Sequence, residues 1–99
     1  MTFTSSTFKD NIGYDGSIIY MLNTASVTFN SVTMNYGRAR RYGGAIYSGG
    51  TGASSITFSN CAAAVTHFES TNHGGFMYIA NPSTTVSSTN CNYNHMYSW

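Results

Sequence analysis

The chain has 99 residues, of which 41% are hydrophobic and 15% aromatic, enough to form the core of one small domain. Only 7% are charged, far below the roughly 25% of an average soluble chain, so Ser, Thr, Asn and Gly must supply the hydration. A net charge of +1 gives no electrostatic case for nucleic acid or an anionic membrane, which need clustered Lys and Arg, and no apolar run approaches the roughly 20 residues of a spanning helix.

In chain order, residues 1–8 (MTFTSSTF) alternate β-formers with small polar residues, the period of a strand. A short block, DGSIIYML (15–22), follows after FKDN. The pattern then restarts with VTFNSVTM (27–34), the basic run Arg38, Arg40 and Arg41, and YGGAIYSG (42–49). ITFSNCAA (56–63) and HGGFMYIA (73–80) form a third round, and VSSTNCNY (86–93) opens a fourth. No segment has the periodicity of a helix, so the chain reads as all-β.

Superposed, these blocks agree column by column. Met1, Val27, Ile56 and Val86 share one column, and Phe3, Phe29, Phe58 and Ser88 another, with Thr2, Thr28, Thr57 and Ser87 between them. In the second block Ile19, Ile46 and Met77 align, as do Tyr20, Tyr47 and Tyr78. A period of this length with two short strands per repeat predicts a β-solenoid of about three and a half coils of 26–31 residues, one segment over 1–99 with coils near 1–26, 27–55, 56–85 and 86–99. Aligned residues would sit about 4.8 Å apart on neighbouring rungs. The Phe, Val/Ile and Ile/Met columns would then fill the interior, and the tyrosine column would point outward and stack on itself.

The motifs GGAI (Gly43, Gly44, Ala45, Ile46) and FKDN (Phe8, Lys9, Asp10, Asn11) resemble the GGA[ILV] and FxxN signatures of the polymorphic outer membrane protein repeats, which belong to the right-handed parallel β-helix, or pectin-lyase-like, superfamily. The degenerate forms DGSI and HGGF recur at the matching positions of the neighbouring coils, and the resemblance spans the chain. It implies a right-handed helix and a surface-exposed or extracellular protein with an adhesive or structural role. The superfamily also holds polysaccharide lyases and hydrolases, whose chemistry needs clustered carboxylates. This chain has three acids, Asp10, Asp15 and Glu69, all expected in turns, so a fragment of such an enzyme is a lesser alternative and no catalysis is expected. YGGAIYSGGTG has neither the Lys-Ser/Thr nor the helix of a phosphate-binding loop.

Two surfaces are candidates for binding. The charged residues all fall between the first and second strand of their coil, so acids of coil 1 should face arginines of coil 2, and these the glutamate of coil 3. That edge is either a solvated salt-bridge ladder or a partner or glycan surface built on Arg38, Arg40, Arg41, Tyr36 and Tyr42. The second surface is a polar strand face in two columns: Thr2, Thr28, Thr57 and Ser87, then Thr4, Asn30, Ser59 and Thr89. Flat hydroxyl arrays of this kind resemble the faces of ice-binding solenoids, and equally the exposed face of any soluble β-helix. Replacing the three arginines by Ser is expected to abolish binding while barely changing the melting temperature, if the charged edge is the binding surface.

Cys61 and Cys91, 30 residues apart in one register, should be neighbours on consecutive rungs, as stacked thiols or as a disulfide. His67, His73 and His95 match no familiar metal-ligand spacing, and neither a metal nor a cofactor is expected. The start lacks the basic and apolar regions of a signal peptide, and neither end shows a polar cap. The segment is therefore expected to belong to a longer solenoid or to stack head to tail into a filament through its open β edges.

Overall fold

The computed structural model describes residues 1–60, 65–91 and 93–98, of which 65–67 and 93–98 are described through their backbone. Eleven strands and no helix occur among them: β1 (Thr2–Thr4), β2 (Thr7–Asp15), β3 (Ile19–Leu22), β4 (Ser26–Asn30), β5 (Thr33–Tyr42), β6 (Ile46–Gly49), β7 (Ser54–Ser59), β8 (Val65–Ser70), β9 (Met77–Ile79), β10 (Thr84–Thr89) and β11 (Tyr93–Ser98). They form three parallel sheets, ordered β1-β4-β7-β10, β2-β5-β8-β11 and β3-β6-β9. The chain visits the sheets in rotation, so each strand pairs with its counterpart in the next triplet. The register pairs like with like: Phe3 with Phe29 and Phe29 with Phe58, Val27 with Ile56 and Ile56 with Val86, Ile19 with Ile46 and Ile46 with Met77.

The charged segment, expected as a turn, is instead a full strand, and there are three strands per repeat rather than two. Asp10 and Asp15 thus lie in β2 and Glu69 in β8. The alternation of this strand was obscured because it changes phase at one point. Asp10 and Tyr36 adopt left-handed backbone (φ 55° and 56°), and the ladder skips both, pairing Lys9 with Asn35 and then Asn11 with Gly37. One inserted residue per strand moves the later inward positions from even to odd numbers, so Met34 is inward before the bend, and Gly37 and Ala39 after it. Gly37 is required by packing: a Cβ there would lie 2.1 Å from the Phe68 ring that fills the space beside it.

The remaining corners also use left-handed residues in register. Ser5, Ser31, Asn60 and Asn90 (φ 49–56°) turn the chain from the first sheet to the second, and the amides of Ser5, Ser31 and Asn60 donate to the carbonyls of Asn30, Ser59 and Thr89 one triplet on. Ser and Asn suit this conformation because short polar side chains bear αL backbone best after glycine. Gly16, Gly43 and Gly74 hold the corner before the third sheet. A Cβ at Gly43 would lie 2.0 Å from the Ile46 carbonyl oxygen, and one on Gly44 1.9 Å from that of Gly75, so the first glycine pair of YGGAIYSGG is needed for both its turn and its close packing.

The core lies between the sheets. Phe3, Phe29 and Phe58 stack at centroid distances of 5.4 and 5.0 Å, and Phe76, just before β9, and Phe68 of the second sheet extend the cluster at 5.7 and 5.3 Å. Phe29, Met34, Ile46, Ile56 and Phe68 are wholly inaccessible to solvent. The fourth Phe-column position is Ser88, on an exposed stretch of β10. A polar bracket closes the corner after β9: Asn81, fully buried, donates through Nδ2 to the Gly52 carbonyl at 3.0 Å and accepts from the Ser83 amide at 3.0 Å.

Candidate functional site

The expected arginine edge divides into two sites. After the bend at Tyr36, strand β5 points Arg38 and Arg40 outward, and both are exposed. Arg38 pairs in register with Ile12 on one side and Glu69 on the other, and its Nε meets Glu69 Oε1 at 3.1 Å. Beside this ion pair lies a groove of about 400 Å³, lined by Asp10, Asn11, Ile12, Tyr36, Arg38 and Glu69. Its walls mix an exposed isoleucine (71%) and an exposed tyrosine (53%) with both signs of charge. The left-handed bends at Asp10 and Tyr36 lie in this wall. The arrangement can place an apolar ring face on Tyr36 or Ile12 and exchange hydrogen bonds with Arg38, Glu69 and Asp10.

Arg41 does not belong to that groove. The ladder shifts between Gly13 and Asp15, so that Gly13 pairs with Ala39 but Asp15 with Tyr42, leaving one extra residue in β5. This bulge aims Arg41 at Asp15, whose side chain is only 5% exposed. The guanidinium donates from Nε to Oδ1 at 2.9 Å and from Nη2 to Oδ2. That hydrogen-bonded carboxylate holds the Arg41 pKa further above its ordinary value. The guanidinium also lies 4.9 Å from the Tyr14 ring centre and 5.0 Å from that of Tyr42. The expectation that Arg41 acts as a freely replaceable surface charge is therefore corrected: it neutralises a buried acid. The solvated-ladder description fits Arg38–Glu69 and fails for Arg41–Asp15.

Tyr42 likewise turns away from the groove and joins an aromatic stack on the third sheet. Tyr20 and Tyr47 stack at 5.0 Å with planes 7° apart, and Tyr47 and Tyr78 at 5.9 Å and 21°. Tyr42 overlies Tyr78 at 4.6 Å and stacks with His73 at 5.9 Å. The register explains this: Tyr20, Tyr47 and Tyr78 pair on β3, β6 and β9, while Tyr42 bridges to His73 beside them. Tyr20 is 56% exposed, and Tyr14, which shares Arg41 with Tyr42, is 63% exposed. Burial pushes the Tyr47 phenol above its ordinary pKa. The tyrosine column was legible in the sequence, but its junction with Tyr42, His73, Arg41 and Tyr14 was not, because it depends on how the second and third sheets meet.

The hydroxyl face is on the first sheet. Thr2, Thr28, Thr57 and Ser87 pair across it, as do Thr4, Asn30, Ser59 and Thr89, and all are exposed or half-buried. Side chains bond between rungs: Ser59 Oγ donates to Asn30 Oδ1 at 3.2 Å, and Ser87 Oγ to Thr57 Oγ1 at 3.4 Å. A third column, Ser26, Ser55 and Thr85, completes the face, with Ser26 and Ser55 hydroxyls 2.7 Å apart. Sequence reasoning missed it, although the same i, i+2 alternation, extended one step toward the N-terminus of each strand, would have found it.

Cys61 lies outside the described residues, so its expected pairing with Cys91, which is half-buried, has no structural account. His67 and His95 occupy equivalent places one residue before the paired Phe68 and Met96, while His73 stands in the aromatic stack. Among the described residues no three His, Cys, Asp or Glu come together as a metal site. Comparison with known protein families, curated proteins and solved structures finds no match for this chain, so its function is argued from its own residues.

Proposed function

We propose that the chain is a length of right-handed parallel β-helix, a β-solenoid, that serves as a non-catalytic structural or adhesive element of a secreted or cell-surface protein. The observation that carries this reading is the in-register parallel pairing of all three sheets, in which like residues recur along the hydroxyl columns of the first sheet and the tyrosine column of the third. Such stacking makes long uniform faces, which suit extended contact rather than a single reacting centre. Two of the three carboxylates support the same view, since Asp15 is held by Arg41 and Glu69 by Arg38. Glu69, the one carboxylate that lines the groove with Asp10, is engaged by Arg38, which disfavours a free acid and nucleophile pair there. The outer edges of β1 and β10 carry backbone groups that a further strand satisfies, from the rest of a longer chain or from a second copy stacked head to tail. Electron microscopy and sedimentation of residues 1–99 test this. Filaments, or association that grows with concentration, support it; a chain that stays monomeric and adheres to neither cell surfaces nor glycans overturns it.

The groove favours a second reading, a glycan-binding element. A pyranose ring presents an apolar face to Tyr36 or Ile12 and hydroxyls to the Arg38–Glu69 pair, which matches the mixed lining. A glycan array tests it: binding that disappears in Arg38→Ser and Tyr36→Ala, with unchanged melting temperature, supports this reading, and binding that survives both variants rejects the groove.

A further inference from the structure

We infer that the aromatic stack on the third sheet is a site of oxidative cross-linking, in which tyrosines of successive strand triplets join ring to ring through a carbon–carbon bond. Parallel, in-register strands hold paired side chains at one rung spacing with their Cβ bonds aligned. Tyr20 and Tyr47 are therefore overlaid at 5.0 Å and 7°, and where the second sheet meets the third Tyr42, bridged to His73, overlies Tyr78 at 4.6 Å and 17°. Each pair thus holds two phenol rings within about one rung spacing of each other. Two reactive rings that in solution would have to collide are held as neighbours, which raises their effective concentration by orders of magnitude. Tyr20, 56% exposed, gives a one-electron oxidant access to the outer end of the stack.

The chemistry balances with an external one-electron oxidant, such as a peroxidase intermediate or a photogenerated metal complex. Each phenol loses one electron to the oxidant and its O–H proton to water, giving a phenoxyl radical. Two radicals couple through ortho carbons, and each displaced ortho hydrogen moves to its own phenol oxygen as the rings regain aromaticity. One link thus removes two electrons and two protons. It ties β3 to β6, or β5 to β9, and so converts stacked packing into a covalent staple. One pair is disfavoured: Tyr14 and Tyr42 each offer a ring face to the Arg41 guanidinium, at 4.9 and 5.0 Å. Tyr36, in the groove on the second sheet, is skipped by the ladder and serves as an internal reference.

The test uses dilute residues 1–99 with tris-bipyridyl ruthenium and light, persulfate accepting the two electrons. Expected are dityrosine fluorescence in the monomer, an intact mass lower by two hydrogens per link, and peptide maps dominated by Tyr20–Tyr47 and Tyr42–Tyr78. Unfolding the chain in guanidinium before irradiation should lower the yield at least about tenfold, because the proximity is lost. Tyr47→Phe keeps a stacking ring without a phenol; it should erase the Tyr20–Tyr47 link and spare Tyr42–Tyr78, and Tyr78→Phe should do the reverse. Both variants are checked for native circular dichroism. The proposal is overturned if the folded monomer gives no dityrosine, if links involve Tyr36 or Tyr14–Tyr42 as often as the stacked pairs, or if unfolding leaves the yield unchanged. Each outcome is independent of whether the chain binds glycans or forms filaments.

Discussion

Replacing Phe29 by Ala probes the stacked interior directly. Phe29 is wholly buried, lies between Phe3 at 5.4 Å and Phe58 at 5.0 Å, and meets Phe8 edge-on at 6.1 Å. Buried Phe→Ala changes cost about 3–5 kcal/mol through lost transfer energy and the cavity left behind. Two stacked neighbours place this site in the upper half of that range. A domain of this size has roughly 5–15 kcal/mol in total, so the variant should lose about a quarter or more of its stability. At about 4–8 °C per kcal/mol, the melting temperature should fall by well over 10 °C. Phe3, half-buried and stacked on one side only, should cost about half as much when changed to Ala. Circular dichroism melts and urea titrations measure both, and hydrogen exchange locates the loss, which should spread to both adjacent triplets because repeats support one another. If Phe29→Ala costs no more than Phe3→Ala, or less than about 1 kcal/mol, the phenylalanine ladder is not the core and the register argument fails.

Gly43→Ala forces a Cβ onto left-handed backbone 2.0 Å from the Ile46 carbonyl, and should cost at least about 1–2 kcal/mol in a denaturant titration. Arg38→Ser should leave the melting temperature almost unchanged, whereas Arg41→Ser should lower it by leaving buried Asp15 unneutralised; Arg41→Ser combined with Asp15→Ser should recover part of the loss. Asn81→Ala removes the donor to the Gly52 carbonyl and the acceptor for the Ser83 amide, at a cost of about 1–3 kcal/mol by the same titration. The raised Tyr47 pKa means the folded state holds that proton more tightly, so its contribution is complete below about pH 10 and is lost as pH climbs through the folded value. Across this range the melting temperature of wild type should fall relative to that of Tyr47→Phe as the pH rises, and parallel curves would contradict the assignment.

Much of the architecture could be read from the chain because a stacked parallel fold repeats its chemistry at a fixed period. The Phe, Val/Ile and Tyr columns follow from alternation and spacing alone, and the paired positions on β1, β4 and β7 are those the aligned blocks imply. The same reasoning failed over residues 7–15 and 33–42, where one left-handed residue breaks the two-residue period and makes a long strand look like a turn. Arginines that are near neighbours in sequence could not be told apart either, since their fates turn on a single bulge. Arg38 lines an open groove and Arg41 meets a nearly buried carboxylate. Local sequence therefore determined which residues share a column, through the strand period and the repeat length. Tertiary structure decided which columns meet across the sheet boundaries, because phase shifts and corners, set by individual backbone conformations, aim side chains that periodicity can only count.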